Sequence, residues 1–258
     1  MRRRSPATPG PAPRRPAFAE AKPLRLRAGR RVVVDLGGRP VALELGRSGR
    51  ARHVSLRIDA RTAACIVTLP PRAAVAEGLA LARKEAAWIL GRLGRLPPSV
   101  PFADGATLPV LGVGLRVRHC PDGRGGAWRQ GDEIRVSGRP EHLARRLEDW
   151  LRREARRALA ERAEAKAAAL GLRPGRVGVR DTLSRWGSCS RDGALSFCWR
   201  LVLAPAAVLD YVVAHEVAHL RYRGHGPRFW RLVDRLAGDS AGARRWLRRH
   251  GDSLFRYG

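Results

Sequence analysis

Short apolar runs separated by glycine and proline turns fill the first part of the chain, and helical periods dominate the rest. Residues 31–36, 41–45 and 53–58 alternate or run apolar, with Gly37-Gly38 and the stretch 46–49 as turns, so three strands are expected there. Residues 65–69 form a fourth, stopped by Pro70-Pro71. Leu79, Arg83, Ala86, Ile89 and Leu93 recur at helical steps and predict a helix over 73–93, broken by Pro97-Pro98. A second β segment spans about 107–136, with strands near 108–110, 115–118 and 133–136 and an exposed glycine-rich loop at 123–126. Pro140 opens a long helix reaching about Leu170, whose buried stripe is Leu143, Leu147, Trp150, Leu151, Ala155 and Leu159; Gly171 ends it. Strands over 177–179 and 195–199, a helix from Pro205 to Gly224, and helices over 227–236 and 241–250 complete the pattern. No internal repeat is visible. Strands, helix, strands, helix, strands, helices: the order predicts an α+β fold.

At 258 residues and 44% hydrophobic, the chain can bury a real core and is too apolar for wholesale disorder. No run of about 18 apolar residues occurs, which excludes a membrane-spanning helix and argues against a membrane partner. No apolar signal core follows Met1-Arg-Arg-Arg-Ser-Pro, so secretion is not expected. Cys65, Cys120, Cys189 and Cys198 are widely spaced with no CxxC pair, which excludes a zinc ribbon or a disulfide-dense scaffold. A reducing, cytoplasmic setting is the expectation.

The formal charge is +28, carried by 48 arginines against three lysines, Lys22, Lys84 and Lys166. Residues 1–31 hold ten basic residues, one acid (Glu20) and the prolines at 6, 9, 11, 13 and 16; this basic tail is expected to be disordered. The rest of the charge is spread through the folded part. Such a surface attracts nucleic acid non-specifically and with strong salt dependence, and no recognition motif accompanies it.

The chemistry lies in the helix after Pro205. It is apolar on nearly every face, the pattern of a buried helix, yet it carries His215, Glu216 and His219. Residues four apart share one helical face about 6 Å apart, so both imidazoles can address one ion. Glu216 lies on the adjoining flank, within reach of the ion's water. This His-Glu-x-x-His spacing is the zinc metallopeptidase signature; the bland alternative is a pair of satisfied core histidines. Catalytic zinc takes three protein ligands and leaves a position for water. His225, just past Gly224, leads as the third, because a left-handed glycine would fold the chain back. Asp234 on the following helix is the alternative. His53, His119, His142 and His250 are weaker candidates. One Zn2+ per chain would lower its water's pKa towards about 7, with Glu216 as general base and proton donor to the leaving amine. Tyr222 and Arg221 are nearby polar groups that could stabilise the oxyanion; packing is the equal alternative for Tyr222.

Arg180-Asp-Thr-Leu-Ser-Arg-Trp-Gly-Ser-Cys-Ser, Leu195-Ser-Phe-Cys-Trp-Arg-Leu-Val-Leu-Ala-Pro, Leu209-Asp-Tyr-Val-Val-Ala-His-Glu-Val-Ala-His-Leu and His225-Gly-Pro-Arg-Phe-Trp together resemble the YgjP-like metallopeptidases, relatives of the SprT and WLM-type zinc proteases. The match spans about 181–230; the β-rich part agrees more loosely. The resemblance implies a compact zincin-like catalytic domain, zinc on His215, His219 and His225, and a catalytic Glu216. Cys198 departs from the family's usual Asn and Gly226 from its usual Ser, neither being a presumed ligand. Around Trp186-Gly-Ser-Cys-Ser, strand backbone could hold an extended peptide by β-addition, with Arg185, Trp186, Ser188 and Ser190 as candidate substrate contacts; a tight structural turn with Trp186 in the core is the alternative. Cys189 is a further candidate ligand, although three histidines already suffice.

The expected organisation is a tail at 1–31, a β-rich region with a helix at 32–100, and a zincin-like domain at 101–258. The expected function is zinc-dependent peptide hydrolysis on a peptide or protein substrate. The rival readings are a nucleic-acid-associated protease and a DNA-binding protein with a structural zinc. Oligomeric state and physiological substrate are not legible in the sequence.

Overall fold

In the computed structural model, residues 30–258 are described. The expected basic tail lies outside the described residues except for its last two. Strands β1 (Arg30–Asp35), β2 (Pro40–Arg47), β3 (Ser55–Asp59) and β4 (Ala64–Leu69) form one sheet in the order β1-β2-β4-β3. Gly37 and Gly38, at φ +65° and +81°, make the turn between β1 and β2 as anticipated. β4 is central and buried along its whole length. Helices α1 (Val75–Lys84) and α2 (Ala86–Leu93) follow. The expected continuous helix is thus divided at Glu85, which sits at φ −96°, ψ 19°. α1 approaches β4 at Gly78, where a Cβ would stand 2.9 Å from Leu69 and Val67.

A second sheet contains β5 (Thr107–Val110), β6 (Val113–Cys120), β7 (Ala127–Gln130) and β8 (Glu133–Ser137), in the order β5-β6-β8-β7. β7 was not expected; it is short and its apolar alternation is weak. The wiring repeats that of the first sheet. Each has an antiparallel first pair, a parallel central pair (β2 with β4, β6 with β8) and an antiparallel last pair, and each leads into a helix. The sequence hides this repetition because different residues satisfy the same turns. Leu111 and Gly112, at φ +52° and +87°, turn β5 into β6 where the first sheet uses Gly37 and Gly38.

Pro140–His142 forms a 3-10 turn ahead of α3 (Leu143–Ala168). Gly171, at φ +67°, ends the helical run with Leu172 N donating to Ala167 O, a glycine stop as expected. β9 (Val177–Arg180), β10 (Gly187–Cys189) and β11 (Leu195–Cys198) make a three-stranded sheet in the order β10-β11-β9. Trp199–Leu203 coils as a 3-10 segment, so the expected last strand stops one residue early. Then come α4 (Ala206–Ala218), α5 (Pro227–Ala237) and α6 (Ser240–His250). Mixed helix and sheet, with the β-rich part first, make the fold α+β.

The main core joins the second sheet, α3, the 3-10 segment and α4 to α6. A separate core underlies the first sheet. A small cluster of Ala60, Cys198 and Phe255 connects the two. Arg200, 6% exposed, donates to the carbonyls of Leu254 and Tyr257 and pairs with Asp181 at 3.1 Å, fixing the chain's end against this junction. No helix among the described residues is long and apolar enough to cross a membrane.

Candidate metal centre

From Tyr211 to Ala218, α4 is buried on all sides, because α3, α5, α6 and β10 pack around it. Lys166 of α3 clasps it, its Nζ 2.9 Å from Asp210 and 2.6 Å from the Leu236 carbonyl of α5. His215, Glu216 and His219 are 2%, 4% and 5% exposed.

The helix ends earlier than expected. His219 is its C-cap, and the chain tightens through Leu220, Arg221 and Tyr222 bonded back to Val217 and Ala218 carbonyls. Gly224 is not among the residues with positive φ, so the anticipated left-handed glycine does not make the reversal. Two other contacts hold it. His219 Nδ1 lies 2.9 Å from Tyr222 O, and Arg223 donates to the carbonyls of Ser190 and Arg191 at 2.7 and 2.9 Å. The turn is thereby tied to the β10–β11 connection, and His225 returns to α4.

The three imidazoles converge. Their candidate ligand atoms all lie within 4.8 Å of one another, the one such group of His, Cys, Asp or Glu among the described residues. His215 Nε2 and His225 Nε2 are 3.2 Å apart. Tetrahedral zinc with bonds of about 2.0–2.1 Å separates its nitrogens by about 3.3 Å, so this spacing fits such a dication. A carbonyl can only accept, so His219 carries its proton on Nδ1 and offers Nε2 to the metal. Burial, reinforced by the neighbouring His219 and His225 and by Arg244, lowers the pKa of His215 to about 3. That ring is neutral at ordinary pH, the form a metal needs.

Phe229 is the floor of this cluster, its ring centroid 4.9, 4.5 and 4.7 Å from those of His215, His219 and His225. Trp230 flanks His215 and His225, with the Arg244 guanidinium 4.9 Å above its indole ring. Phe229 lies in the first turn of α5, while His225 precedes that helix, so no periodic spacing links the two. Gly187 was also missed. A Cβ there would meet Glu216 Cγ and Oε1 at 2.6 Å, so the carboxylate arm rests directly on the β10 backbone. Nothing in a one-dimensional pattern announces that contact.

The other candidates scatter. Asp234 accepts from Ser240 Oγ and is not in the histidine group. Cys189 is also outside it, with Sγ 3.6 Å from Arg223 Nη1. Trp186 stacks on Phe255 with centroids 5.3 Å apart, so its ring faces the small junction core. Arg185 is half-buried, and its carbonyl accepts from Thr182 Oγ1. Ser188 sits in β10 opposite Ser196. Tyr222 contributes its carbonyl to His219. β10 is an edge strand whose outer side pairs with no strand among the described residues. Trp186 O and Ser190 N bond inward to β11 and its turn, so alternation turns the polar backbone of Gly187 and Cys189 outward, beside Glu216.

Comparison with known proteins agrees with this arrangement. The family model described as YgjP-like, metallopeptidase domain, matches residues 52–250. No match was found among curated proteins or among solved structures.

Proposed function

The chain belongs to the YgjP-like metallopeptidase family, and from that membership we propose that it is a zinc-dependent peptidase with Glu216 as general base. One observation carries the reading: three imidazoles converge within 4.8 Å, two of them on the same buried helix as Glu216. Three imidazole nitrogens suit catalytic zinc, which takes three protein ligands and keeps one position for water. Bound zinc supplies Lewis acidity towards a carbonyl and lowers the pKa of water. His215, His219 and His225 would hold the ion. Glu216 takes the proton from the attacking water and returns it to the leaving amine. Its burial keeps bulk solvent from competing for that proton.

The outward backbone of Gly187 and Cys189 supports an extended peptide added to the edge of β10, which sets the scissile bond beside Glu216. Substrate is therefore a peptide or protein segment able to adopt strand conformation. All four cysteines are unpaired, which supports a reducing, cytoplasmic setting.

Metal analysis and peptide hydrolysis on paired variants test the proposal. Wild type should hold about one zinc per chain, and His215→Ala should lose it. Glu216→Gln should keep the metal and lose about 10²–10⁴-fold in turnover. Hydrolysis by Glu216→Gln at the wild-type rate would overturn the role of Glu216.

A further inference from the structure

A second concave surface is built from elements that hold none of the three histidines. The loop between β6 and β7, the end of β8 and the first half of α3 border an open, solvent-facing hollow of about 690 Å³. Four arginines line it, Arg124, Arg145, Arg146 and Arg153, against one carboxylate, Asp149. Asp149 is matched to Arg145 at 3.4 Å. Arg124, Arg146 and Arg153 face no carboxylate within ion-pair distance among the described residues. Like charges gathered around one hollow repel each other, and an anion relieves that repulsion.

The hollow is also shaped by its backbone. Gly125, Gly126 and Gly138 adopt φ of +98°, +85° and +84°, which side chains rarely tolerate. At Gly138 a Cβ would collide with the Arg146 guanidinium, so glycine is what lets that group lie against the chain. Arg146 Nη1 donates to the Ser137 carbonyl and to Ser137 Oγ, and Ser137 Oγ also ties down Gly126. One guanidinium and the glycine loop are therefore held in place before any ligand arrives.

The cavity lies beside the start of α3, whose first turn holds Arg145 and Arg146 and no acid. The 3-10 turn that feeds this helix carries Glu141, but that carboxylate pairs with Arg139 at 3.9 Å and is not part of the cavity lining. The positive end of the helix dipole adds to the arginines' potential there.

We propose that this arginine cavity binds a ligand bearing two or more phosphate groups. Guanidinium forks match phosphate oxygens two at a time, and the volume exceeds what a single phosphate fills while falling in the usual range of small-ligand sites.

Calorimetric titration of the full chain with inorganic tripolyphosphate at about 0.15 M salt tests this, since that screening suppresses diffuse attraction. Saturable binding should weaken at least about tenfold in the Arg145→Gln, Arg153→Gln double variant, and likewise in Arg124→Gln, which alters only the loop. The control Arg39→Gln, Arg50→Gln removes two exposed arginines of the first sheet unit and should change affinity less than about twofold. Equal weakening by both double variants would reduce the effect to general counterion attraction and overturn the site. So would absence of tripolyphosphate binding, or binding of a single-stranded oligonucleotide alone.

Discussion

Gly187 and Glu216 meet so closely that no side chain fits between them: a Cβ on Gly187 would stand 2.6 Å from both Cγ and Oε1 of the glutamate. The strand with the open edge and the Glu216 carboxylate, the proposed general base, are thus set by a single backbone contact. Moving one moves the other.

Gly187→Ala is expected to displace the Glu216 carboxylate. A shift near 1 Å at a reacting group lowers turnover by about 10²-fold, while the three histidines, on other contacts, keep their metal. Steady-state peptide hydrolysis beside zinc content checks this. Full turnover in the alanine variant would show that the carboxylate has another stable position.

Arg223→Ala should loosen the turn that brings His225 back, because both carbonyl anchors at Ser190 and Arg191 disappear together. A supporting contact of this kind changes metal affinity by about 10–100-fold. Competition against a chromogenic chelator measures it. Unchanged affinity would mean that packing on Phe229 alone positions His225.

Stripping the metal should lower thermal stability. A ligand at about a hundred times its Kd contributes about 2.7 kcal/mol, which for a domain of this size corresponds to about 5–10 °C in Tm. Calorimetry with and without a chelator reads the difference, and the melting temperature of His215→Ala should not respond to added zinc.

Lys166→Ala removes the clasp between α3 and α4. Its partner Asp210 is then left partly buried, at 27% side-chain exposure. The expected loss is about 1–2 kcal/mol, reduced from the fully buried case by solvent access. Urea unfolding gives the value; a midpoint equal to wild type would make the pair energetically neutral.

The histidine helix was legible in the sequence because two signals coincide there: apolar residues on every face, and ionisable ones at a metal-binding interval. His225 was legible as well, though by the wrong route. The chain returns through a carbonyl on His219 and a clamp by Arg223, both of which join residues through space and leave no periodic trace. Strand β10 is three residues long, too short for alternation to mark, and its importance comes from what lies beside it. The long helix was legible because its apolar stripe runs through Leu143, Leu147, Trp150 and Leu151 before a glycine stop. The split at Glu85 left no pattern, since the residues on either side are all good helix formers.

The paired sheets carry a consequence for engineering. The second unit shares its core with α4, so a change inside it reaches the helix that carries His215 and His219. The first unit, wired the same way, rests on a core of its own, so its outer face can be rebuilt with little effect on that helix.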